Sequence, residues 1–326
     1  LVNRGQSPLR ESMLTLYKAR SVITMNPSMP RASAVLVRDG NILEVGEPEL
    51  MQPWLEGQRF RLDEQFADKV ICPGFIDPHL HPSMAAVLLP MEFITAMRWK
   101  LPWGDVEPVS DLPAFDARMQ ALHRSKPAGE PLFIWGYHQL WHGDMDKIRI
   151  HQVSDQRPII VWHRSFHELY MNDPAMSMAG IDPAQIKPGL QIDIDKGRFF
   201  ELGLGFAINR LNPWILAPEK YAQGLGRLKQ VVHHGGHTSI GDLATGLFNL
   251  DAEAKALTEQ LEGDNVPFRT RLVVHGTRLT QGGRKPEEGP AMAADLLRHN
   301  SHRLSFSRHI KLLSLIHISE PTRQSL

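Results

Sequence analysis

The chain has 326 residues, 36 basic against 36 acidic side chains and 42% hydrophobic residues. A balanced charge excludes the electrostatic footprint of a nucleic-acid or anionic-membrane binder, and the length suits two or three domains, or one barrel with an appendage. The one cysteine, Cys72, excludes an internal disulfide framework and fits a reducing, cytoplasmic setting.

No apolar run approaches 18 residues, and LVNRGQSPLRES at the start lacks the apolar stretch of a signal peptide. Residues 1–12 are polar and unpatterned; patterning begins at Met13, so we read the first dozen as an upstream or disordered tail. Short strands are predicted at Leu14–Ala19, Ala34–Arg38 and Ile42–Val45, and Asp39-Gly40 between the last two is a hairpin signal. Residues 13–69 thus read as a small antiparallel β module. Cys72, beside Pro73, reads as a small buried apolar residue rather than a reactive thiol.

An apolar run from Val70 to Ile76 leads into Asp77-Pro78-His79-Leu80-His81. Side chains alternate along a strand, so His79 and His81 would share one face with Cα atoms roughly 7 Å apart. Two imidazoles so placed can bind one divalent metal, and Pro82 ends the ladder behind them. Among 16 histidines, however, an HxH pair alone does not separate ligands from surface or satisfied core residues. Asp77 shares the face and reads equally as a ligand or as a partner orienting an imidazole.

Further along, Leu112–Ser125 is patterned as an amphipathic helix, with Phe115, Met119 and Leu122 at helical spacing. Pro131–Tyr137 and Pro158–His163 read as buried strands, and Trp141–Asp144 between them as a loop. Phe166–Ala179 reads as a helix capped by Gly180, and Leu216–Val232 as a second. His163 and His167 are four apart, yet His163 ends an apolar strand, so the two fall on different elements. His233, His234 and His237 surround Gly235-Gly236 as a solvated turn. Strands are then predicted at His237–Leu243, Pro267–His275 and from His309 to Leu313, with helices at Ala252–Glu262 and Pro290–Arg298 between them. Asp242 reads as structural, and His275 as a residue that could face a pocket. This strand–helix alternation is the mark of a parallel α/β sheet.

Cys72 to Pro82, CPGFIDPHLHP, contains a string that resembles the first-strand signature PGFID-x-H-x-H of the amidohydrolase superfamily of metal-dependent hydrolases. The order of the Gly-Tyr loop, the histidine-ended strand, His167, Tyr170-Met171-Asn172 and Ala179-Gly180-Ile181 resembles the family 3 branch, which includes formamide-type hydrolases. The resemblance implies an α/β fold: a partial TIM-type (β/α)8 barrel, about strands 1–4, plus an N-terminal β-sandwich module. Barrel residues 70–313 would carry an insertion near 84–235. It implies a divalent metal, zinc, as one or two ions held by His79, His81 and a carboxylated Lys311 on strand 4, with His167 in the substrate pocket. Glu201 stands where the branch carries a glutamate, in a blurred form of its usual motif. The histidines of strands 5 and 6 and the catalytic aspartate of strand 8 are not found, and SLIHISEPTRQ near the end is similar to a translated sequencing adapter. We therefore read 314–326 as foreign and expect no turnover from this chain. The implied reaction is hydrolysis of a non-peptide C–N bond in a small molecule. A deaminase of aminated heterocycles and a noncatalytic metal- or ligand-binding relative are the alternatives, and a homo-oligomer is left open.

Overall fold

The computed structural model describes residues 13–276, 285 and 287–307. It divides into two compact units, Leu1–Gly74 and Phe75–Leu326.

The first unit is a four-stranded sheet. Leu14–Ile23, Arg31–Arg38 and Asn41–Gly46 pair antiparallel in sequence. Asp39 (φ 51°) and Gly40 (φ 80°) are both left-handed, the backbone a two-residue hairpin turn requires. The fourth strand, Phe60–Ile71, pairs parallel with the first, from Leu14 opposite Phe60 to Val22 opposite Ile71. The module is therefore mixed, not purely antiparallel. Its fourth strand escapes sequence reading because FRLDEQFADKVI carries charges on both faces, and ladder hydrogen bonds rather than apolar alternation hold it. Leu14, Leu16, Ala34 and Leu36 pack with Met51 and Leu55 on one face, while Ala19, Val22, Ala32 and Val35 form a second cluster. Within the described residues this unit contains one sheet, a single layer rather than the expected sandwich. Cys72 is exposed, contrary to the buried role expected of it, because the end of the Phe60–Ile71 strand is covered by little.

The second unit is built on four parallel strands in sequential order: Phe75–Leu80, His237–Thr245, Arg269–Val274 and Leu304–Phe306. Helices Leu250–Leu261 and Glu288–Arg298 connect the later strands, as parallel crossovers demand. The fourth strand lies at 304–306, ahead of the position expected for it. Lys311, the rest of the His309–Leu313 segment and the 314–326 tail lie outside the described residues.

Between the first two parallel strands, residues 84–235 contribute a separate six-stranded sheet. Its centre is Leu132–Tyr137 parallel to Ile159–His163, the two apolar runs read from sequence. Their residues alternate between two cores as successive strand side chains do, except that an irregularity at Gly136 (φ 115°) turns Tyr137 to the side of Leu132 and Ile134. Trp135, Ile160 and Trp162 face one; Leu132, Ile134, Tyr137, Ile159 and Val161 face the other, against Phe115, Met119 and Leu122. Those three lie on the helix Leu112–Ser125, whose bounds match the expectation and whose N-cap Asp111 accepts from Ala114 N–H at 2.8 Å.

Two expectations fail here. Phe166–Ala179 is not one helix: Glu168–Met171 is a strand paired antiparallel with Ile159–His163, and only Asp173–Met178 is helical, started by Asn172 as N-cap and by Pro174. ELYM lacks strand alternation, and a neighbouring edge with open hydrogen-bonding groups decides its state. Trp141–Asp144 is in part a helical turn, Gln139–His142, ended by Gly143 at φ 68°. The segment expected as one helix at Leu216–Val232 begins at Pro218 and runs to His234, after a separate helix Leu202–Ile215.

Candidate functional site

The first parallel strand delivers its histidines to one place by two different means. His79 is in the strand; His81 is one residue past it, at the N-cap of helix Pro82–Leu88. The expected strand geometry thus ends at Leu80, because Pro82 starts a helix rather than merely stopping the ladder. The rings still converge, with centroids 5.1 Å apart and planes at 90°. Asp77 Oδ1 accepts the backbone N–H of His79 at 3.0 Å, bracing the chain just ahead of the two histidines.

His81 Nδ1 is buried with no hydrogen-bond partner. The nearest carboxylate oxygen, Asp242 Oδ1, is 3.7 Å away, beyond hydrogen-bond reach. Asp242 is 1% exposed, and its oxygens accept Ala244 N–H at 3.0 Å and Thr245 Oγ1–H at 2.6 Å. Its proximity follows from register, since Leu80 and Asp242 are partners in the parallel pair. That neighbour was not legible from the sequence, where Asp242 looked like the end of a strand.

An orphaned buried imidazole nitrogen beside a second imidazole is a donor set that a divalent ion fits, since a metal is the partner that such a nitrogen lacks. Among the described residues no group of three His, Cys, Asp or Glu side chains gathers as a metal cage.

The pair opens on a cavity of about 660 Å³. His79, His81, Ser165, His167, Glu201 and Asn209 form its polar lining; Met84, Trp162, Phe166, Leu204, Ile208, Leu247 and Phe248 its apolar walls. His167 Nδ1 lies 3.1 Å from Glu201 Oε1, and Glu201 N–H donates to His167 O at 3.0 Å. Phe166 (φ 62°) and Glu201 (φ 48°) both hold left-handed backbone without being glycine. Sequence reading named His167 and hesitated over Glu201; the ladder between Glu168 and Phe200 brings them face to face across 34 positions.

The remaining histidines lie elsewhere. His163 is 6% exposed and outside the cavity lining; its Nδ1 is 2.7 Å from Ser165 Oγ and its Nε2 3.0 Å from Gln139 Oε1. Burial pushes its pKa down from 6.5 to about 4, against the opposing pull of Glu168. His233 and His234 end the helix Pro218–His234, and the His237 ring stands edge-on to Phe75 at 5.9 Å. His275 follows the third parallel strand, where its N–H donates to Thr245 O at 2.9 Å.

Sequence reading also missed Glu253. This carboxylate, 0% exposed, accepts the backbone N–H of Gly246 at 2.9 Å and of Asn249 at 2.8 Å, and also that of Phe248. Burial pushes its pKa up. It ties down the 246–249 turn, from which Leu247 and Phe248 reach the cavity. Only the Asn249 N-cap four residues earlier hints at this.

Sequential parallel strands, with a histidine pair at the exit of the first, give this chain the α/β fold of solved metal-dependent hydrolases. Two such structures, both described as uncharacterized metal-dependent hydrolases, match 89% of this chain at 17% identity: one from Pyrococcus horikoshii OT3 (TM-score 0.62, 53% of that chain) and one from Pyrococcus furiosus (TM-score 0.63, 54% of that chain). At that identity the likeness is one of fold. Among curated proteins, the chain is 25% identical over 178 residues to the exoenzymes regulatory protein AepA of Pectobacterium carotovorum subsp. carotovorum, covering 52% of this chain and 35% of that protein. It is 20% identical over 229 residues to the protein LONG AFTER FAR-RED 3 of Arabidopsis thaliana, covering 68% and 37%. The chain thus spans little more than a third of the length of these curated relatives. No family model matches it. Among the described residues no helix is long and apolar enough to cross a membrane.

Proposed function

We propose that the protein belongs to the amidohydrolase superfamily, in its family 3 branch, and hydrolyses a non-peptide C–N bond, amide or formamide-like, in a small molecule. The observation that carries this reading is the convergence of His79 and His81, with an orphaned Nδ1, at the mouth of a cavity lined by aromatic walls. The metal would be zinc, as one or two ions, and His79, His81 and a carboxylated Lys311 would hold it; the four parallel strands are the opening half of a barrel. When bound, the ion supplies a Lewis acid and a water activated near neutral pH. The chain's own residues do the rest. Asp77 holds the backbone of the ligand segment, and the buried Asp242 carboxyl stands beside His81. Trp162, Phe166 and Phe248 seat an apolar substituent and displace water from the reacting end.

Zinc titration by calorimetry, against His79→Ala and His81→Ala, tests the centre: each substitution is expected to weaken binding at least about tenfold, equivalent to 1.4 kcal/mol. Unchanged affinity in the double variant would sink the proposal. Hydrolysis of N-substituted formamides is the activity expected of the completed site; release of ammonia from aminated heterocycles instead would make it a deaminase.

A further inference from the structure

Granting the C–N hydrolase reading, we propose that His167 Nε2 is the hydrogen-bond acceptor for the substrate's N–H, and that Glu201 is the positioning residue that fixes the imidazole in the tautomer this requires.

The chemistry follows from one contact. An ionised carboxylate is an acceptor only. Glu201 Oε1 lies 3.1 Å from His167 Nδ1, so Nδ1 carries the hydrogen and donates it. In the neutral ring Nε2 then holds a lone pair, and it makes no hydrogen bond with any described residue. Both side chains are about half exposed, 46% for His167 and 47% for Glu201, and both line the cavity. Ser165 Oγ is taken up by His163 Nδ1 at 2.7 Å and by the His167 backbone N–H at 3.2 Å. His79 and His81 sit at the metal end. The His167–Glu201 side of the cavity therefore offers acceptors, and a substrate meets it with a donor.

The backbone reports how firmly the pair is set. Phe166 immediately precedes His167, and it and Glu201 are both left-handed at φ 62° and 48°. Such a conformation is unfavourable for an L-residue and persists where surrounding structure over-determines it. Here the second link, Glu201 N–H to His167 O at 3.0 Å, closes the two strained positions into one unit. The backbone link continues the antiparallel ladder one step beyond Glu168 and Phe200, so the pairing of the two strands sets the pair's position.

The test uses the full chain, stripped of metal with a chelator so that turnover plays no part. Long-range ¹H–¹⁵N correlation spectra assign the His167 tautomer. We expect Nδ1–H in the wild type and mainly Nε2–H in Glu201→Ala. Binding of N-(2-phenylethyl)acetamide is then compared with that of 2-phenylethyl acetate, which has the same shape with oxygen in place of N–H. The wild type should prefer the amide about tenfold, His167→Ala and Glu201→Ala should bring the ratio near one, and Glu201→Gln, which keeps an acceptor oxygen, should restore most of it. An Nε2–H tautomer in the wild type overturns the proposal, as does an amide-to-ester ratio indifferent to His167→Ala, or no binding of either probe. Should Glu201→Ala fail to fold, the wild-type tautomer and the Glu201→Gln ratio decide by themselves. Loss of the hydrolase reading shows instead in the zinc titration, which this experiment does not use.

Discussion

Helix Pro82–Leu88 carries the second histidine at its N-cap, and one glycine governs how it is seated. Gly224, on helix Pro218–His234, faces Ala86: a Cβ there would stand 1.9 Å from Ala86 O, 2.6 Å from its carbonyl carbon and 2.7 Å from its Cα. All three are backbone atoms, so no rotamer change relieves the overlap. Gly224→Ala must push the helices apart by more than an ångström, and the core around Val87, Leu225 and Leu228 opens with them. Overpacking of this kind costs about 1–3 kcal/mol, and the upper end applies where only backbone can yield. Alanine returns about 1 kcal/mol of helix propensity, leaving a net loss of about 2 kcal/mol. For a unit of this size each kcal/mol moves Tm by roughly 2–4 °C, so the variant should melt about 4–8 °C lower. Gly226, on the same helix, has nothing within 4 Å of its would-be Cβ. Gly226→Ala should keep the propensity gain and raise Tm by about 2–4 °C. Calorimetric or circular-dichroism melting of the two variants checks the pair. A Gly224→Ala protein melting at or above wild type, or equal losses in both, would refute the packing argument. Because Met84 and His81 ride on the same short helix, zinc affinity should fall in Gly224→Ala and hold in Gly226→Ala.

Acid should expose His163. Its folded-state pKa, about 4, lies below the unfolded 6.5, so the unfolded chain takes up a proton that the folded one does not. The stability tied to this residue is fully present above pH 6.5 and falls away as pH drops to 4, by about 3 kcal/mol in all. Denaturant midpoints of His163→Gln should decline less than wild type over that window; parallel curves would show that the histidine is not the sensor. Glu253→Gln leaves one acceptor oxygen for the N–H groups of Gly246, Phe248 and Asn249. It should cost about 1–3 kcal/mol and speed hydrogen exchange at those amides; unchanged exchange would mean that the turn stands without the carboxylate.

Where local pattern suffices, the sequence was enough. The Asp39-Gly40 turn, the helix Leu112–Ser125 with its Asp111 cap, and the two apolar strands ending at Tyr137 and His163 follow from short-range sterics and periodicity. The residues CPGFIDPHLHP also bring His79 and His81 to attention, because two histidines one residue apart are themselves a local feature. Long-range pairing decided the rest. Phe60–Ile71 and Glu168–Met171 are strands because a neighbouring edge offered hydrogen bonds, and nothing in their own residues announces it. Asp242 stands beside His81 through parallel register, and Glu201 meets His167 because the Arg198–Phe200 strand is laid against Glu168–Tyr170. Side-chain identity is written in the chain, but which side chains meet depends on register between segments far apart, and that is set only when the sheets assemble.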